Sequence, residues 1–209
     1  MANATQAELE ALRSRIGQIL MSPQCQKINF TFDNVYIDGS SFSYVALSSL
    51  QKSGFKVQIN ATQSSEAMYS PNTNTFVFKK AGYGNATHPF EMMTIVHEST
   101  HAVIDAKGRK TLMLANEVCS YIAGALFNQF RKDMELSSFD DGTQPAGGIY
   151  REAHEVATKM ARIIKRFNYT GCYNLMSSDT KVAALVAAVK GSSSRYSKND
   201  SYGENGLSL

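Results

Sequence analysis

Cysteine is scarce in this 209-residue chain: Cys25, Cys119 and Cys172 are odd in number and far apart. No Cys-x-x-Cys pair occurs, which excludes a zinc ribbon and a thioredoxin-type redox motif. At most one disulfide can form, so the cysteines leave the redox compartment open. A charge bias is missing too: 21 basic against 18 acidic residues give a net charge of +3. The one short basic cluster, Lys107 to Lys110, reads as a solvated loop, and nucleic-acid binding is not expected. Long apolar runs are also absent. The longest near the end of the chain, Val182 to Val189, is far too short to span a bilayer. The first twenty residues are polar with amphipathic spacing and do not form an apolar signal core. The expected location is therefore the cytoplasm, or outside the cell by a route that needs no cleaved signal.

What is present is ordinary globular composition, 43% hydrophobic and 19% charged, in a chain long enough to bury a real core. One domain over 1–190 is expected. The stretch 191–209 lacks periodicity and reads as a flexible tail. Leu9, Leu12, Ile16 and Leu20 recur at helical spacing over about 6–20. Ile28, Phe30 and Phe32 alternate as in a half-buried strand, and so do Phe55, Val57 and Ile59. A short helix fits between them, over 42–50. Ala67 to Ser70, the turn-rich Pro71 to Asn74, and Thr75 to Lys79 predict a β-hairpin.

Beyond this point the pattern is helical. Thr87-His88-Pro89 predicts a helix start, with the helix running to about Ala106 and ending at Gly108. A second helix is predicted from Thr111 to about Leu136, a loop over 137–148, a third helix over 149–167 and a fourth over 179–190. The fold class is α+β: a small N-terminal sheet with a hairpin, then a helical half.

The chemistry concentrates at His97-Glu98-Ser99-Thr100-His101, which takes two of the four histidines of the chain. Residues four apart share a helix face, so His97 and His101 can direct two imidazoles at one ion. Glu98, at the edge of that face, can reach a water beside the metal and act as its base. A catalytic zinc needs a third protein ligand. The residues after His101 lack a Gly-x-x-His continuation, so a third histidine of that type is excluded. Glu117 is the better choice. It lies on the next helix, which the Lys107 to Lys110 turn folds back antiparallel, at the edge of the apolar stripe Leu114, Val118, Ile122 and Leu126. Asp105, Asp140 and Glu152 are the fallback ligands. Tyr150 and His154, four apart on the third helix, are candidates to stabilise an oxyanion, with Tyr121 as another.

With these residues in view the chain resembles the zincin metallopeptidases, the gluzincin branch in particular. The matching parts are Thr94 to Ala102, Asn116-Glu117 and the preceding hairpin. The resemblance implies a zincin-like fold, Zn2+ held by His97, His101 and Glu117, Glu98 as general base, and a protein or peptide substrate. It also implies that the strand ending near Lys79 is an edge strand against which an extended peptide pairs. Two features depart from the family pattern. The gap from His101 to Glu117 is shorter than in thermolysin-like enzymes, and Tyr121 stands where an acidic residue is expected. Support for His97 would then fall to Asn116 or Asp105. The competing expectation is a protein that keeps the scaffold but binds without cleaving.

Overall fold

A computed structural model describes residues 4–51, 54–108, 110–134, 148–167 and 170–193. The predicted loop over 137–147, the fallback ligand Asp140 and the tail from 194 onward lie outside the described residues.

Helix α1 (Gln6–Leu20) opens with a capping box in which Thr5 and Glu8 satisfy each other's backbone donors. It buries Leu12, Ile16, Ile19 and Leu20. A single turn, α2 (Pro23–Gln26), leads into β1 (Asn29–Phe32) and β2 (Val35–Asp38), which pair antiparallel. Their connection is the two residues Asp33 and Asn34, both at positive φ (46° and 66°), the backbone that a tight hairpin requires. Asp38 caps α3 (Gly39–Leu50) by accepting from the Ser41 amide.

The second sheet holds β3 (Lys56–Ile59), β4 (Ala67–Ser70) and β5 (Thr75–Phe78) in the order β3-β5-β4. The β4–β5 hairpin is antiparallel as expected, while β3 runs parallel to β5. This corrects one expectation. The strand ending near Lys79 is the central strand, hydrogen-bonded on both sides, and the edge strands are β3 and β4.

The helical half comprises α4 (Pro89–Ala106), α5 (Met113–Met134), α6 (Ile149–Phe167) and α7 (Thr180–Ser192). It is interrupted by β6 (Tyr173–Leu175), which pairs parallel with β1 and completes the first sheet. The strands therefore form two three-stranded sheets, one of them finished by the C-terminal half, where a single N-terminal sheet was expected. The α+β class stands. Helix α4 is the central element, lying between α5 and strand β4, with Ile95, Val96, Ala102 and Val103 fully buried. Burial on both sides makes it a rigid carrier for polar groups. Among the described residues no helix is long and apolar enough to cross a membrane.

Candidate metal centre

His88 caps α4, its Nδ1 accepting from the Phe90 amide, and Pro89 takes the first helical position, where its missing N–H costs nothing. At the other end Gly108 adopts φ +60° and turns the chain back. Three contacts show that α5 then runs antiparallel to α4. His101 meets Asn116 and Ser120, His97 meets Tyr121, and a Cβ added to Gly124 would sit 3.0 Å from the Met93 carbonyl. Gly124 is thus where the two helix backbones come closest.

This return brings Glu117 opposite the two histidines. His97 Nε2 and His101 Nε2 lie 3.2 Å apart. Glu117 Oε2 lies 3.4 Å from the first and 3.8 Å from the second. Ligand atoms on a tetrahedral zinc at bond lengths of about 2.0–2.1 Å are separated by about 3.3 Å, so the spacing of the three atoms fits such an ion. The three side chains are largely buried, 14%, 7% and 18% exposed respectively. The cluster can hold a metal ion.

The tautomer of His101 follows from its neighbours. Ser120 Oγ donates its proton to the Asn116 carbonyl at 3.0 Å, so toward His101 Nδ1, 3.2 Å away, it can only accept. Asn116 Oδ1 accepts at the same nitrogen. Nδ1 therefore carries the proton and the Nε2 lone pair faces Glu117, as a metal ligand requires. Asn116 serves His101 rather than His97. Asp105 is buried and accepts from the Tyr69 hydroxyl at 2.7 Å. His97 stacks edge-on against Tyr121, with ring centroids 4.5 Å apart. Burial opposes protonation of His97, but the hydrogen bond to Glu117 and the charges of Glu98 and Glu117 outweigh it and raise its pKa. The negative charges around it thus attract a cation or a proton.

Glu98 is buried beside the cluster, and its Oε2 accepts the Tyr69 backbone N–H at 2.7 Å. All four residues open onto a cavity of about 530 Å³ lined by β4, α4 and α5 and by Tyr150 of α6. The Tyr150 ring packs on Tyr121 (centroids 5.2 Å apart) and on Phe90 (5.4 Å). Burial, followed by the charges of Glu98 and Glu117, pushes its hydroxyl up to about 12, so it keeps its proton at neutral pH and can donate. His154, one turn further along α6, is buried and is not among the residues lining the cavity. Cys119 is fully buried on α5, where burial pushes its thiol pKa up, and it behaves as a small apolar residue. Ser120 and Tyr69 are the site residues that sequence reasoning missed. Ser120 carries a signal in the chain, because it follows Asn116 by four and so shares its face of α5.

The chain matches no protein-family model, no curated protein and no solved structure.

Proposed function

We propose that the protein is a zinc-dependent metallopeptidase, akin to the gluzincins that its motif resembles. The observation that carries this reading is the convergence of His97 Nε2, His101 Nε2 and Glu117 Oε2, with Glu98 beside them in a cleft bounded by an edge strand. Two imidazoles and one carboxylate are a donor set that suits zinc and leaves a coordination position open. Zinc bound there would polarise a peptide carbonyl and make water acidic enough to attack at neutral pH.

The chain's own residues supply the rest. Glu98 has one oxygen held by the Tyr69 amide. The other oxygen takes the proton from water entering the cleft and returns it to the departing amine nitrogen. Tyr150, protonated at neutral pH, donates toward the oxygen on which negative charge develops. Asn116 and Ser120 hold His101 in its ligand tautomer. The outward edge of β4 at Ala67, beside the Tyr69 N–H that Glu98 holds, receives an extended peptide as an added strand, which brings a scissile bond across the face of α4.

The test joins metal content to cleavage. Purified protein should retain near-stoichiometric zinc, and His97→Ala should lose it. Glu98→Gln should keep zinc and lose peptide cleavage by a factor of about 10²–10⁴. Protein without zinc after mild purification would refute the metal reading. Zinc-loaded wild type that cleaves nothing in a proteome-derived peptide library would instead favour a binding protein on the same scaffold.

A further inference from the structure

We infer that Tyr69 is a positioning residue: it pins edge strand β4 to helix α4 at two points and so fixes the direction of the Glu98 carboxylate. The role assigned to that carboxylate rests on the peptidase reading, whereas the pinning itself does not.

In an antiparallel pair, the N–H and C=O of one residue point to the same side of the strand. Lys79 donates to the Glu66 carbonyl at 2.9 Å, so Glu66, Met68 and Ser70 turn their main-chain groups toward β5. Ala67 and Tyr69 turn theirs outward. The Tyr69 N–H thus lies outside the sheet ladder, and Glu98 Oε2 accepts it at 2.7 Å. A carboxylate accepting from an amide in a buried setting makes one of the stronger hydrogen bonds available to a protein.

The side chain of the same residue makes the second attachment. Its ring packs against both Phe55 and Phe76, with centroids 5.9 and 5.1 Å away, which limits the reach of the hydroxyl. The hydroxyl donates to Asp105 Oδ2 at 2.7 Å, and the Asn74 side-chain amide lies 3.0 Å from it. Asp105 is only 2% exposed. Glu98 and Asp105 are seven residues apart, two turns along one face of α4, with the metal-facing His101 between them. One residue of the strand therefore brackets the stretch of helix that carries the proposed chemistry. A strand sliding along the helix must break both bonds at once, and Glu98 cannot swing while its Oε2 is held.

The test uses residue-resolved amide exchange on the full chain, with zinc binding and steady-state kinetics measured on the same samples. In wild type the residue-69 amide should be protected although it lies outside the ladder. Tyr69→Phe deletes only the hydroxyl. It should speed exchange at position 69 by at least about tenfold, leaving Met68 and Ser70 within about threefold of wild type and zinc affinity nearly unchanged. The kcat should fall about tenfold with KM within about twofold, because the base is displaced and the peptide-binding edge is kept. Glu98→Ala should expose the same amide by a similar factor, which keeps the test valid if Tyr69→Phe melts the hairpin. An amide at position 69 that stays protected in Glu98→Ala, or an unprotected one in wild type, would overturn the inference. Cleavage-competent Tyr69→Phe with wild-type kcat would overturn it too. Absence of zinc or cleavage in wild type would count against the peptidase reading alone, since amide exchange would still decide the pinning.

Discussion

Removing the Asn116 amide should weaken zinc binding without touching a ligand atom. Asn116 is fully buried, and its Oδ1 is one of two acceptors for the His101 Nδ1–H; Ser120 Oγ, 3.2 Å away, is the other. Outer partners of a ligating histidine typically contribute 10–100-fold in metal affinity. Ser120 remains in Asn116→Ala, so that single change is expected near the lower bound, about tenfold or about 1.4 kcal/mol. The double variant Asn116→Ala/Ser120→Ala removes both of these acceptors and should approach about 100-fold, or about 2.7 kcal/mol. Competition with a chromophoric chelator, on protein shown by circular dichroism to be folded, measures both. Glu117→Ala, which deletes a ligand atom, sets the scale of complete loss. A double variant that binds zinc within about twofold of wild type would refute both the tautomer assignment and the role given to α5.

Two further predictions concern stability. Asp38 is a half-buried carboxyl whose partial burial would raise its pKa, but hydrogen bonds from Ser40, Lys107 and Ser41 outweigh this and hold it down to about 2, against an ordinary 3.8. Because the folded value is the lower one, the stabilisation is complete above about pH 5 and is lost as pH falls toward 2; it amounts to about 2 kcal/mol. Urea unfolding of wild type and Asp38→Ala should therefore differ most at neutral pH, with the gap shrinking by about 2 kcal/mol only as pH falls to about 2 and below, and a pH-independent difference would contradict this. Gly39→Ala would place a Cβ 2.5 Å from the Gln26 carbonyl oxygen and 2.6 Å from its Cα, backbone atoms that cannot step aside. It should cost more than about 2 kcal/mol, visible as a lowered Tm, and a wild-type Tm would show that the α2–α3 packing is looser than described.

Helices were the most legible part of the chain, because each buries a stripe whose period is written locally: α4 and α6 begin and end within a residue or two of expectation. The strands divide by how local their pairing is. The β4–β5 hairpin carries its own turn and was visible, whereas β2 hides behind Asp33-Asn34, a dipeptide that tolerates positive φ and was an available but unused hairpin signal. Neither β6 nor the parallel β3–β5 pairing has any local signature, since a three-residue strand and a crossover acquire meaning only from distant partners. The centre follows the same division. His97, Glu98 and His101 share one helix and are readable from spacing. Glu117 needed only a tight turn between two helices. The grip of Tyr69 on Glu98 depends on how deep a strand sits against a helix, which residue order does not encode.

The pairing of β1 with β6 joins residue 30 to residue 173, so the first sheet stays two-stranded until residue 173 has been made. Every group assigned to the centre on α4, α5 and β4, from Tyr69 to Tyr121, is made well before that. The second sheet, α4 and α5 can thus meet through contacts close in sequence, whereas closing the first sheet must overcome the entropy of a loop of more than a hundred residues. On a growing chain the order of events is then metal pocket first and closure last. Strand β6 acts as a clasp that secures a centre already assembled.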